Sequence, residues 1–151
     1  MRAIAHALQS IAVTLWVGGL WVAGFILVPL LFARLGSPLA GALAGKVFEL
    51  IAYIGIGCAT YLLAYRLARA GAGSLKQAFF WIVLVMLVFT LAGEFGVQPI
   101  LKSLKAEALP KKVMESVLRE RFNTWHGIAS GLYVIESALG LILVVLLGKG
   151  R

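Results

Sequence analysis

The chain has 151 residues, of which 62% are hydrophobic and only 13% charged, and its mean hydropathy is +0.98. Soluble domains are nearer half apolar and a quarter charged, so a solvated enzyme surface is excluded. The net charge of +8 lies between apolar runs rather than in one block, which is the pattern of membrane loops and not of a nucleic-acid groove.

One cysteine, Cys58, excludes an intrachain disulfide framework and a cysteine-cluster metal site. Four apolar runs then follow along a single domain, residues 1–151. The first, 3–33, is free of charge and longer than the roughly 20 residues a span needs; it also exceeds the apolar core of a signal peptide. The second is 47–65, with Glu49 near its start. The third is 78–101, interrupted by Glu94, and the fourth is 123–147, carrying His126 and Glu136. Backbone polar groups in lipid must be satisfied within the segment, and none of these runs alternates as a barrel strand does, so all four are read as helices. The fold class is all-α, an integral membrane four-helix bundle with antiparallel neighbours.

Loops are expected at 35–46, rich in Gly, Pro and Ala, and at 66–76, around Gly71 and Gly73. The connection 102–121 is longer and holds six Lys/Arg. Val113, Met114, Val117 and Leu118 within it are spaced as on an amphipathic helix, and Pro110 suits a first turn. A helical segment over 110–122 is therefore expected, extending the fourth helix beyond the membrane. Its basic face is either simply solvated or a contact for a protein partner or lipid. Six Lys/Arg against eight on the two sides leave the orientation undetermined by the positive-inside rule.

Short matches between the halves suit a tandem two-helix repeat. At an offset of 70, Phe25, Pro29, Leu30 and Leu31 align with Phe95, Pro99, Ile100 and Leu101; at 74, Phe48 aligns with Phe122.

Each run carries a polar stripe at helical spacing. The fourth has Asn123, His126, Ser130, Tyr133 and Ser137; the third Thr90, Glu94 and Gln98; the second Glu49, Tyr53 and Thr60; the first His6, Ser10 and Thr14. Polar groups are costly against lipid, so Trp16, Trp21, Thr60, Thr90, Ser130, Tyr133 and Ser137 are expected to turn inward. The stripes are either hydrogen-bonding glue between helices or, for the ionisable Glu94, His126 and Glu136, a binding site. Counting residues at 1.5 Å each puts Glu94 and His126 at similar depth and predicts that they face each other, within roughly 10 Å, with Gln98, Asn123 and Ser130 around them. Glu136 falls near the midplane with Trp16, while His6 starts the first helix at the opposite face. Gly127 and Gly131 form a GxxxG, read as a packing face.

Trp16-Val17-Gly18-Gly19-Leu20, Pro29-Leu30-Leu31-Phe32, and Phe122 followed by His126 and Ser130 resemble the transmembrane protein 205-like family of unknown function, over nearly the whole chain. That resemblance implies a small helical membrane protein without a settled activity. His6 with Trp16-x-Gly-Gly is also similar to the opening helix of copper-resistance D domains and of the bacterial four-helix protoporphyrinogen oxidases. The latter resemblance implies haem at His6, and covers the first helix alone.

Three functions stay open: binding or transport of a small solute or metal at Glu94, His126 and Glu136; a structural or assembly subunit of a membrane complex; and a haem-dependent membrane oxidoreductase. No nucleotide loop, triad or redox cysteine pair supports an enzyme. The location expected is the bacterial inner membrane, with the lipid bilayer as the first partner and no nucleic acid.

Overall fold

A computed structural model describes residues 2–109 and 117–149. It is built of α1 (Arg2–Trp21), a π segment (Val22–Leu27) and α2 (Val28–Arg34); α3 (Ser37–Ala70) with a 3-10 turn (Gly71–Lys76); α4 (Ala78–Leu91), a second π segment (Ala92–Val97) and α5 (Gln98–Ala108); and α6 (Arg119–Lys149). These make four membrane-crossing lengths: span one Ile4–Arg34, span two Ser37–Lys76, span three Ala78–Ala108 and span four Arg119–Lys149. The protein is an all-α four-helix bundle and a multi-pass membrane protein. Its most apolar stretches are only 17% to 33% buried by the protein itself, which leaves the remainder of that apolar surface to lipid.

The boundaries differ from the sequence expectation where Gly and Pro were read as loop signals. Residues 37–46 are helix, because Gly36 is the extended N-cap of α3 and Pro38 sits in its first turn, where a missing N–H costs nothing. Residues 66–70 and 102–108 are helix as well. After the extended link at Leu35 and Gly36, the next break is Gly71, whose φ of +52° ends α3 in a conformation that only glycine adopts freely. There the Ser74 hydroxyl donates to the Gly71 carbonyl at 2.6 Å, and the Trp81 indole to the Leu75 carbonyl at 2.8 Å. Of the amphipathic segment expected at 110–122, residues 110–116 lie outside those described; residues 117–118 form a turn and helix resumes at Arg119.

Span one touches spans two and four, and span three touches the same two. The order around the bundle is therefore one, two, three, four, with every neighbour antiparallel. In lipid no hydrophobic force drives helices together, so close van der Waals fit carries the association. Two glycines provide it: a Cβ on Gly55 would strike the Trp16 ring, and one on Gly140 would lie 3.0 Å from Val17 and 3.5 Å from Met86.

The two halves repeat, in a register partly different from the one expected. Both π segments, at Val22–Leu27 and Ala92–Val97, stand 70 residues apart and run into Pro29 and Pro99. A proline has no N–H and its ring presses on the carbonyl four residues back, here Phe25 and Phe95, each inside its wide turn. Buried residues match at the same offset: Gln9 with Phe79, Val13 with Val83, Trp16 with Met86, Leu20 with Thr90. Spans two and four do not match through Phe48 and Phe122. Phe48 meets Tyr133 edge-on at 5.0 Å, and the structural counterparts are Gly55 and Gly140, 85 residues apart. The extra length lies in the connection between spans three and four.

Lys46 and Arg66 are 20 residues apart on α3, about 30 Å, the thickness of a hydrocarbon core. They mark the two faces and set the midplane near Ile56, at the level where Gly55 receives Trp16.

Candidate functional site: a carboxyl at the midplane

Span four brings Glu136 to the centre of the bundle. The residue is only 5% exposed, and its Oε1 lies 2.7 Å from the Thr90 hydroxyl of α4. Thr90 Oγ1 is also 2.9 Å from the Met86 carbonyl, one turn back in its own helix. A hydroxyl has one proton, so both contacts are hydrogen bonds at once when the carboxyl is protonated and donates to Oγ1.

Trp16, on α1, completes the cluster. Its ring is fully buried against Gly55, and its Nε1 lies close enough to the Glu136 carboxyl to act on it as a hydrogen-bond donor, although it has no partner in good geometry among the described residues. The buried Ser137 Oγ is likewise unpartnered. A buried polar atom left unpaired costs about 1–3 kcal/mol, so this level of the bundle holds polar capacity that the described residues do not fully use. Around it the frame is fixed from span four to span one: Tyr133 Oη donates to the Leu20 carbonyl at 2.6 Å and Trp21 Nε1 to the Ser137 carbonyl at 3.2 Å. Gly24 makes room for the Tyr133 ring, which a Cβ there would overlap.

Of the residues expected to face inward, Trp16, Thr90 and Ser137 are buried and Tyr133 is half-buried. Trp21 lies at the rim, 36% exposed, reaching in through its indole nitrogen alone. Thr60 and Ser130 are exposed, contrary to expectation. Each spends its hydroxyl on its own helix, Thr60 on the Ile56 carbonyl at 2.7 Å and Ser130 on the His126 carbonyl at 2.9 Å, so neither needs a neighbour in lipid.

Asn123 and His126 are exposed too, His126 stacked on Phe122 at 5.7 Å between ring centres. The half-buried face of that part of span four is Phe122, Trp125, Ala129 and Leu132, the apolar stripe beside the polar one. Glu94 and His126 therefore do not meet inside the bundle. Glu94 is half-buried and makes no hydrogen bond or ion pair among the described residues; the charges that act on it are Lys102, Glu49 and Lys46. The physical cause is on span four, where the apolar stripe through Phe122, Trp125 and Ala129 packs and turns His126 outward. Gly127 and Gly131 are exposed and meet nothing within 4 Å, so the expected packing face at this GxxxG is open in the single chain.

His6 is half-exposed near the start of α1, at the face opposite His126. Among the described residues no three His, Cys, Asp or Glu come together as metal ligands would.

Sequence spacing gave no sign of a second polar cluster at the Arg66 face. Arg66 donates to Gln77 Oε1 at 2.8 Å and covers the Phe79 ring at 4.2 Å. Buried Gln9, with its amide oxygen turned to the guanidinium, accepts from Nη2 at 2.8 Å and Nε at 3.2 Å. The available signal was a lone glutamine inside the first apolar run, which needs a donor wherever it is buried.

The family described as "Domain of unknown function (DUF4149)" matches residues 11–110, and the chain belongs to it. No curated protein and no solved structure matches the chain.

Proposed function

We propose that this DUF4149 protein binds a small polar solute within its transmembrane bundle, at Glu136. One observation carries the reading: a buried carboxyl near the membrane midplane shares its level of the bundle with two buried polar atoms, Trp16 Nε1 and Ser137 Oγ, that have no well-formed hydrogen bond among the described residues. Ionisable groups inside a membrane are rare and commonly mark substrate or ion pathways, and midplane sites between repeats are where transporters hold their substrates. The chemistry of the cluster selects the solute. It must accept a hydrogen bond from the Trp16 indole and exchange one with the Glu136 carboxyl, as water, an alcohol or a small amine does. Glu94, Gln98 and Glu49 lie toward the Lys46 face and form the polar approach to that level; Asn123, His126 and Ser130 stand on the outside and His6 at the far face. Transport across the bundle is the activity this arrangement suits.

The finer likeness to the transmembrane protein 205-like family, and a place in the bacterial inner membrane, belong to this proposal and rest on the motifs around Trp16, Pro29 and Phe122. The competing reading is a structural subunit, in which Glu136 and Thr90 are a buried strut and residues 102–121 meet a protein partner.

Native mass spectrometry of the protein extracted in mild detergent separates the two. A small non-lipid adduct is expected on the wild type and absent from Glu136→Gln at unchanged helix content. If neither form carries an adduct and the variant differs only in melting temperature, the strut reading stands and the binding reading falls.

A further inference from the structure

At the Lys46 face a cavity of about 200 Å³ opens between α3 and α5. Its charged lining is Lys46 and Glu49 from α3 with Lys102 and Lys105 from α5, and Gln98 lies among them. Its floor on α3 is Gly41, Ala42 and Gly45, so no side chain larger than a methyl group fills the space from that side. Glu49 Oε2 is 3.1 Å from Lys46 Nζ and 3.7 Å from Lys102 Nζ. One carboxylate therefore draws two ammonium groups from different helices to a single point. Each ammonium has three donors and no acceptor, which leaves most of them free, and Lys105 adds a third cation whose near contact is the Phe122 ring at 5.6 Å. The three lysines outnumber Glu49 and the nearby Glu94, on which Lys102 and Lys46 also act, so the cavity keeps a net positive charge and suits an anion.

Its position narrows the anion. Lys46 lies about 15 Å from the midplane, at the edge of the hydrocarbon core. The Lys46 and Lys102 side chains are 76% and 61% exposed, so the ammonium groups stand in the headgroup layer. Leu50, one turn inward of Lys46 on α3, is an exposed apolar residue at the depth of acyl chains, and Leu43, nearly one turn outward, is exposed beside the headgroup layer. Convergent lysines serve phosphate as point charges, and basic pockets between transmembrane helices hold phosphate headgroups.

We propose that this cavity binds a phosphate group, presented by the headgroup of an anionic phospholipid or by a free phosphate ester. The site does not include Glu136 and its lysines take no part in the solute-binding reading, so its test can fail while that reading stands; Glu49 and Gln98 are common to both.

The test uses the full chain with two probes, phosphatidylglycerol in otherwise phosphatidylcholine nanodiscs and inorganic phosphate in detergent. Native mass spectrometry reads retained lipid and isothermal titration reads phosphate. The wild type is expected to keep phosphatidylglycerol at least tenfold better than Lys102→Gln/Lys105→Gln, while Glu136→Gln keeps it equally well. A second variant, Arg69→Gln/Lys76→Gln, removes the same charge at the opposite face and is expected to bind like the wild type. Lipid retention lost only in the cavity variant assigns the site to the headgroup. Phosphate binding without lipid retention, lost in the same variant, assigns it to a soluble phosphate ester. Binding of neither probe, or equal loss in both double variants, overturns the proposal, the latter because net charge alone would then account for it. Circular dichroism on each variant confirms that the comparison is between folded proteins.

Discussion

Thr90 has one hydroxyl proton and two acceptors within reach, the Met86 carbonyl at 2.9 Å and Glu136 Oε1 at 2.7 Å. Replacing Thr90 by Val removes the one well-formed hydrogen bond of Glu136 among the described residues and keeps the shape. Leaving a buried polar group unsatisfied costs about 1–3 kcal/mol, so Thr90→Val is expected to lose that much stability in detergent unfolding, with the loss largely recovered in Thr90→Val/Glu136→Leu. No recovery in the double variant would mean that the two residues are not coupled. The glycines allow a sharper contrast. A Cβ at Gly55 would overlap the Trp16 ring, whereas one at Gly127 meets nothing. Trp16 is fully buried and cannot move without displacing its neighbours, so Gly55→Ala is expected to cost about 1–3 kcal/mol, the usual result of overpacking. Gly127→Ala is expected to be neutral or to stabilise by up to about 1 kcal/mol, through helix propensity alone. Equal effects of the two substitutions would contradict the Trp16–Gly55 contact.

Each π segment holds one residue more than an α-helix would over the same stretch, and each is followed by a proline that an unbroken helix would resist. Deleting Gly96 from the second segment leaves an α-helical turn and keeps both the inward face before it, Val83 to Thr90, and the one after it, Leu101 to Leu104. Deleting Val88 from regular helix rotates everything beyond it by about 100°. The Gly96 deletion is therefore expected to fold and melt near the wild type, and the Val88 deletion to lose cooperative melting; the reverse order would show that the wide turn is not a register correction. The four spans were legible in the sequence because a long apolar run fixes a helix in a membrane whatever surrounds it. Which face packs was less legible, for a physical reason. Hydroxyls such as Thr60 and Ser130 satisfy themselves on their own backbone, so a polar stripe is no guide to the interior when it consists of serine and threonine. Residue counting sets Glu136 and Trp16 at similar depth, and both are buried, because depth along a helix is insensitive to which face packs. The pairing of Glu94 with His126 was not legible because the apolar stripe beside Asn123 and His126, not the polar one, packs inward. Gly36 and Pro38 were read as a loop because the residues that stop one helix are the same that start another.

At the scale of the whole molecule, the repeat makes spans one and three diagonal partners, each resting a large buried side chain, Trp16 or Met86, on a glycine of a neighbouring span. That arrangement concentrates the bundle's closest contacts at one level, where Glu136 also lies, and the charged residues place that level in the membrane. With Lys46 and Arg66 at the two faces, the midplane passes near Ile56, and the single cysteine, Cys58, is about 3 Å from it along the helix axis. Cys58 is half-buried in apolar surroundings on every side. A thiol there is out of reach of any aqueous reagent, so in intact membrane vesicles Cys58 is expected to resist a membrane-impermeant maleimide and to react only after detergent is added. In a Cys58→Ser background, Lys46→Cys and Arg69→Cys are both expected to label, each only from its own side of the membrane. Their separation along α3 is 23 residues, about 34 Å at 1.5 Å per residue, more than the hydrocarbon core. Labelling of both from one side would mean that α3 does not cross the bilayer. Rapid aqueous labelling of Cys58 would move the midplane away from Trp16, and Glu136 would then lie near a surface where a carboxyl needs no partner.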